Sequence, residues 1–399
     1  MIFGATLVAL AVALLWPLTQ THRHVFPFFW TNAPGRLTEI NNLGGNIQVK
    51  FSNRIRSCED VLLVESKGLA ILACDPGRER WNTVMGIFLP GPVANGELYI
   101  YDYAHENLDD EKALRKITFV DFALAESDFH SLGLAYDEAS STLFVANHRH
   151  DAPAIEQFKL DLKALTATHV RSIQHPSISA PNAIALVNEH ELYVTNDHHF
   201  LPRYNPILNK IETYLSFPGG TVTHVVIPPT VTAPVTANTV TQLPFANGIE
   251  LLNTTTAAVA STIHGRIYFY SISKSTSGTP IFTKTSHVTV NFLPDNLSQS
   301  KDGALIIAGH AHAPSLEKFA RSRALCNGTP DEKKTEEEKT TCAKMIAPSW
   351  AARWTEDRGV EDLYASYDYP SSATAVRDSE RGFGIISGLY AKGILVWRD

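Results

Sequence analysis

"NAIALVNEHELYVTNDH", residues 182–198, decides how the chain is read. It passes from a polar residue through a short apolar strand, a turn at 188–190 and a second strand, and ends on polar side chains. Short strands bounded by turn residues are a β pattern. The phrase returns as "EDVLLVESKGLAILACD" from Glu59, "HSLGLAYDEASSTLFVANH" from His130, "NGIELLNTTTAAVAS" from Asn247, "NLSQSKDGALIIAGH" from Asn296 and "SATAVRDSERGFGIISG" from Ser372. The variable spacing leaves room for one four-stranded sheet per copy. Six copies predict an all-β fold, a six-bladed β-propeller. A β-sandwich with long insertions would not explain the recurrence.

The frame around these repeats is ordinary for a globular protein. The chain has 399 residues, of which 44% are apolar, and a net charge of -7. A negative chain lacks the basic face that nucleic acid requires, so no nucleic-acid partner is expected. Residues 1–18, "MIFGATLVALAVALLWPL", are apolar and uncharged and precede polar "TQTHRH". This predicts an apolar N-terminal helix over residues 1–22, a signal peptide or a retained membrane anchor, ahead of a propeller domain at 37–399. No Lys or Arg precedes the run and no small-x-small cleavage site follows it, which favours the anchor. Either form sends the chain into the secretory pathway, secreted or membrane-anchored, and an anchor would place it at a membrane or lipid surface.

Oxidising compartments make disulfides of the four cysteines. Cys58 and Cys74 flank two strands joined at Ser66 and Lys67, so they can face each other across a hairpin. Cys326 and Cys342 bracket "NGTPDEKKTEEEKTT", a charged insert over 326–342 that reads as a solvated loop stapled at its base. Asn253 and Asn327 each open an N-glycosylation pattern. The stretches "RYNPILNKIETYLSFPGG" and "IPPTVTAPVTANTVTQ" read as a variable loop and an irregular extended connection.

In a propeller the innermost strand of each blade starts beside the central channel, so the leading residues of the repeats are neighbours in space. They are Glu59, His130, Asn182, Asn247 and the pair Asp295 and Asn296. Taken alone, Asp295 and Asn296 are turn residues, and Asn296 also opens a glycosylation pattern. Gathered at one end of a channel, the five oxygen-bearing side chains suit Ca²⁺, which takes six to eight oxygen ligands. Zinc would call for nitrogen and sulfur.

At this level of detail the chain resembles the serum paraoxonase/arylesterase family of calcium-dependent lactonases. The resemblance runs from about Leu37 to the C-terminus and is carried by "CEDVLLVESKGLAIL", "DFHSLGLAYDE", "LFVANH", "YVTNDHHFL", "LPFANGIELL" and "PDNLSQSKDGALIIAGH". It implies a catalytic calcium on Glu59, Asn182, Asn247, Asp295 and Asn296. It also implies a second, structural calcium on Asp60, the carbonyl of Leu132 and an aspartate after Asn182, where this chain has Ala183. The family's long-range disulfide to the C-terminus has no counterpart here, because the chain ends "LVWRD".

The expected chemistry is hydrolysis of a small-molecule lactone or aryl ester, with calcium polarising the carbonyl and His130 accepting a proton from water. The resemblance implies that His148 orients His130. Asp197, His198 and His310, each at the end of a repeat's second strand, are expected to line the same mouth. No G-x-S-x-G, H-E-x-x-H or glycine-rich phosphate loop is present, so a serine hydrolase, a zinc protease and a nucleotide enzyme lack their signatures. A propeller lyase of the strictosidine-synthase type would share the fold without predicting this oxygen shell. The remaining alternative is a non-catalytic propeller binding module with a structural calcium.

Overall fold

The computed structural model describes residues 25–399, apart from positions 106 and 277. Six antiparallel sheets follow one another along the chain. Blade 1 holds Cys58–Val64, Leu69–Cys74, Glu97–Asp102 and Leu114–Lys116. Blade 2 holds Ser131–Asp137, Thr142–Asn147, Ala154–Asp161 and Thr166–Ile173, with Thr118–Val120 added in parallel at its outer edge. Blade 3 starts at Pro181–Asn188, blade 4 at Ala246–Asn253, blade 5 at Leu293–Gln299 and blade 6 at Ser372–Asp378. The fold is the six-bladed β-propeller expected from the repeats.

The ring is closed by an early strand and the last strand of the described residues. Ile47–Lys50 pairs antiparallel with Ile394–Arg398 and supplies the fourth strand of blade 6, with Ile47 opposite Trp397. Closure completes blade 6 and packs its face against blade 1, covering apolar faces that an open arc of sheets would leave in water.

Apolar packing sits in the seams between blades. Phe129, Leu143, Val145 and Phe158 of blade 2 meet Ile71, Leu98 and Ile100 of blade 1. Equivalent clusters join blades 2 and 3, 3 and 4, 4 and 5, 5 and 6, and 6 and 1. Strands covered on both faces are buried at every position, as in Thr142–Asn147 and Leu305–His310. Outer strands such as Pro280–Thr289 are largely exposed. This explains why the second strand of each repeat reads as a continuous apolar run rather than as an alternating one.

Each blade's second strand ends at the face where its first strand begins: Ser131 lies opposite Asn147, Pro181 opposite Asn196 and Leu293 opposite His310. Insertions that follow second strands therefore crowd one mouth of the channel. Four helices concern this face: α1 (Val25–Thr31), α2 (Pro206–Tyr214), α3 (Ala313–Cys326) and α4 (Glu336–Lys344). Val25 and Phe28 of α1 pack on Leu293, and Leu316 and Phe319 of α3 pack on Ile87, Leu389 and Tyr390.

Three segments differ from expectation. The insert 326–342 is not a solvated loop but contains a 3₁₀ turn, Asp331–Lys333, and most of α4. Thr335 and Glu338 close a reciprocal capping box at the start of α4, with Glu338 N donating to Thr335 Oγ1 (3.2 Å) and Thr335 N donating to Glu338 Oε2 (2.8 Å). Acidic Glu336, Glu337 and Glu338 in the first turn and Lys344 in the last suit the helix dipole. The stretch 203–220 carries α2, entered through Pro206 at its first turn. The second irregular stretch supplies Thr236–Leu243, the outer strand of blade 3. The signal peptide or anchor expected over 1–22 lies outside the described residues, and among the described residues no helix is long and apolar enough to cross a membrane.

Candidate functional site

The first strand of each blade breaks its ladder at, or just after, the position the repeats singled out. Register shifts fall between Cys58 and Asp60, Ser131 and Leu134, Pro181 and Ile184, Ala246 and Ile249, Pro294 and Leu297, and Ser372 and Thr374. Such bulges free a residue from pairing and re-aim its side chain. Glu59, Asn182, Asn247, Asp295 and Asn296 all lie inside them. Two glycines let neighbouring blades close on the axis. A Cβ at Gly133 would stand 2.2 Å from the Asn182 carbonyl, and one at Gly248 would stand 2.6 Å from that of Asp295.

Glu59, Asn182, Asn247 and Asp295 line one cavity of about 100 Å³, together with His310 and apolar Val84, Phe245, Ile263 and Leu293. All four polar residues are buried. Glu59 Oε2, Asn182 Oδ1 and Asn247 Oδ1 have no hydrogen-bond partner among the described residues. Orphaned buried oxygens are costly and call for a partner. The Asn247 amide is pinned from behind, Nδ2 donating to Thr262 Oγ1 (2.9 Å), which in turn donates to the Pro294 carbonyl (2.8 Å). Asn296 Nδ2 donates to Glu59 Oε1 (2.7 Å) and Thr374 Oγ1 (2.9 Å). Burial, then the charges of Asp60 and Asp295, push the Glu59 carboxyl well above the usual carboxylate range. An oxygen-lined, negatively charged pocket with three unpartnered oxygens fits a calcium ion.

The histidines divide into different settings. His310 Nε2 lies 3.0 Å from Asp295 Oδ2, while its buried Nδ1 has no partner among the described residues. His130 is buried beside the cavity rather than in its lining, with Nδ1 3.3 Å from Asp75 Oδ2 and Nε2 unpartnered among the described residues. His148 meets His130 through the main chain, its N donating to the His130 carbonyl (2.9 Å). The His148 ring is engaged elsewhere: Nε2 donates to the Pro181 carbonyl (2.5 Å) and Nδ1 accepts from the Thr83 hydroxyl. Burial lowers its pKa. Asp197 and His148 line a smaller neighbouring cavity of about 50 Å³. His198 stands behind Thr213 and Phe245 of the central cavity, its Nδ1 2.9 Å from Asp197 Oδ1 and its Nε2 2.8 Å from Thr213 Oγ1.

The set implied for a second calcium is arranged differently. Asp60 already accepts hydrogen bonds from Val61 N (2.8 Å), Leu134 N (2.7 Å) and Thr374 Oγ1 (3.1 Å). It lines a separate cavity of about 220 Å³ with Ala183, Glu250 and Asn296, whereas Leu132 lines the central one. The hydrogen bonds on Asp60 and the methyl group at 183 leave fewer free oxygens here than in the central cavity. Cys58 and Cys74 are bonded across their hairpin, and Cys326 and Cys342 staple α3 to α4. Asn253 is exposed, whereas Asn327 Nδ2 is committed to Glu79 Oε1 (2.9 Å).

Asp75, Thr262 and Thr374 were not legible as single residues, yet Asp75 follows the second strand of its repeat just as His148, Asp197 and His310 follow or end theirs. Aligning the repeat ends rather than their starts would have found it.

Serum paraoxonase/arylesterase 2 of Canis lupus familiaris is 29% identical over 204 residues, 46% of this chain and 56% of that protein. The same-named protein of Bos taurus is 30% identical over 138 residues, 33% of this chain and 37% of that protein. Serum paraoxonase/arylesterase 1 of Homo sapiens is 26% identical over 241 residues, 58% of this chain and 63% of that protein. The matches thus span less than two thirds of these relatives. A gluconolactonase structure from Xanthomonas campestris superposes with a TM-score of 0.50 at 11% identity, covering 88% of this chain and 89% of that one, a likeness of fold. The arylesterase family model matches residues 84–324, more than half of the chain, and the chain belongs to the arylesterase family.

Proposed function

We propose that the protein is a calcium-dependent hydrolase of lactones and aryl esters working in the central cavity. The observation that carries this reading is the convergence of Glu59 Oε2, Asn182 Oδ1 and Asn247 Oδ1, buried and without partners among the described residues, on a cavity shared with Asp295. Glu59, Asn182, Asn247 and Asp295 would hold the ion, and Asn296 would complete the set or hold Glu59 in place. Bound calcium would supply Lewis acidity to an ester carbonyl and stabilise the charge that develops on its oxygen.

The chain's own side chains account for the rest. Thr262 fixes the Asn247 amide so that its oxygen faces the cavity. Val84, Phe245, Ile263 and Leu293 exclude water and accept the apolar body of a lactone or aryl group. His310 is the base best placed to take a proton from attacking water, because the residue lines the cavity, its Nε2 faces Asp295 and its Nδ1 has no partner among the described residues. His130 is the second candidate, supported by its unpartnered Nε2 and its Asp75 brace, with His148 fixing the main chain at its carbonyl.

The hydrolase domain is taken as 37–399. Disulfides support an oxidising, secretory setting. Exposed Ile207, Leu208 and Ile211 on α2, whose Thr213 and Tyr214 line the cavity, support an apolar or lipid surface near the mouth. Exposed Asn253 is the proposed glycan site.

The test is hydrolysis of a phenyl ester and a simple lactone by wild type, Asn182→Ala and Asn247→Ala across a calcium series. Turnover that needs calcium, with a higher requirement in both variants, is expected. Bound calcium with no turnover of either substrate would favour the binding module.

A further inference from the structure

On the wall between blades 1 and 2, outside the central cavity, three further side chains converge. Asp128, His130 and His150 each offer one ligand atom, and the three atoms lie within 4.8 Å of one another. His150 Nδ1 is 2.5 Å from Asp128 Oδ1, and His130 Nε2 is 3.9 Å from the same oxygen. His130 is only 2% exposed, and its Nε2 has no hydrogen-bond partner among the described residues. Its tautomer is set from the other side: Nδ1 donates to Asp75 Oδ2 (3.3 Å), which leaves the lone pair on Nε2, aimed at Asp128. A carboxylate behind the distal nitrogen is how proteins orient a metal-binding histidine and raise its basicity.

We propose that Asp128, His130 and His150 form a binding site for a zinc-class transition-metal ion. Two imidazole nitrogens and one carboxylate oxygen suit zinc, whereas calcium takes oxygen ligands. With metal–ligand bonds of roughly 2 Å at tetrahedral angles, ligand atoms stand about 3.3 Å apart. That value falls between the 2.5 Å and 3.9 Å found here. A small rotation of the His150 side chain, 41% exposed, brings the set into range and leaves a route for the ion. On binding, the proton of His150 Nδ1 moves to Nε2, so the ring stays neutral and Asp128 remains the charged ligand. Water takes the fourth position. Glu59, Asn182, Asn247, Asp295 and His310 take no part; only His130, the second candidate base, is shared, so zinc uptake is read by binding and not by turnover.

The Trp81 ring stacks on His150 with centroids 3.9 Å apart and so reports on the site. The experiment is calorimetric titration of Zn²⁺ into the calcium-loaded full chain, with His150→Ala and Asp128→Asn alongside. A single Zn²⁺ per chain is expected, its affinity lowered about tenfold or more in each variant, with both variants shown folded by thermal unfolding in zinc-free buffer. Should a variant fail to fold, Co²⁺ replaces Zn²⁺ in wild type and Trp81→Phe: fluorescence quenching lost in Trp81→Phe supports the site, and equal quenching overturns it. Absent zinc uptake, or equal affinity in wild type and both variants, also overturns it.

Discussion

His310 Nε2 stands 3.0 Å from Asp295 Oδ2, joining the end of blade 5's second strand to the bulge in its first. The contact faces one nitrogen towards a carboxylate and leaves the other, Nδ1, buried and without a partner among the described residues. If this pair activates water, His310→Gln lowers kcat by roughly a hundredfold to ten-thousandfold, the usual contribution of a general base. At saturating calcium KM should change little, whereas calcium affinity should fall by about tenfold, because Nε2 braces the ligand Asp295. Steady-state kinetics beside calcium titration check this, and a larger loss in His130→Gln would move the role to His130.

Removing the charge of Glu59 has opposite effects with and without calcium. Burial and the neighbouring Asp60 and Asp295 hold its carboxyl well above the usual range, so the ionised form is disfavoured in the calcium-free fold. Glu59→Gln is therefore expected to unfold at the same or a higher temperature in chelator. Wild type should gain about 2.7 kcal/mol at a calcium concentration a hundred times Kd, and the variant should gain far less at the same concentration. Thermal unfolding in chelator and in calcium measures both.

The fold was legible because one strand–turn–strand phrase recurs, and its leading residues mark where each blade meets the axis. The proposed cation set was read from those positions. Hydrogen-bond assignments were not legible, because they depend on contacts between residues far apart in sequence. Asp75 braces His130 and Thr374 holds Asn296 only after the ring has closed. The charge of the insert reads as a loop, although Thr335 and Glu338 carry the spacing of a capping box that opens a helix.

Glu250, half-buried beside Asp60, gives stability a pH dependence. Burial, then the charge of Asp60, raises its carboxyl from 4.5 to about 8. With the folded value above the unfolded one, its protonated form favours folding fully below about pH 4.5, and that contribution is lost as pH rises towards 8. The unfolding temperature of Glu250→Gln should match wild type near the low end of that window and exceed it progressively towards the high end. A constant difference across the window would contradict the assignment.

Ring closure rests on Trp397, 2% exposed in the seam between blades 5 and 6 and opposite Ile47. Trp397→Ala is expected to cost about 3–5 kcal/mol, the range for truncating a buried aromatic side chain. Denaturant unfolding of wild type and variant measures the loss, and a change below about 1 kcal/mol would show that the seam does not depend on this ring.

The most direct measurement of the central claim is turnover of a phenyl ester and a lactone by one preparation before chelation, after chelation and after calcium add-back, with bound calcium measured at each stage. The account predicts hydrolysis that disappears with the ion and returns with it, and no return in Glu59→Gln at the same calcium concentration. Hydrolysis that persists in fully stripped protein, or a protein that binds no calcium, would contradict it.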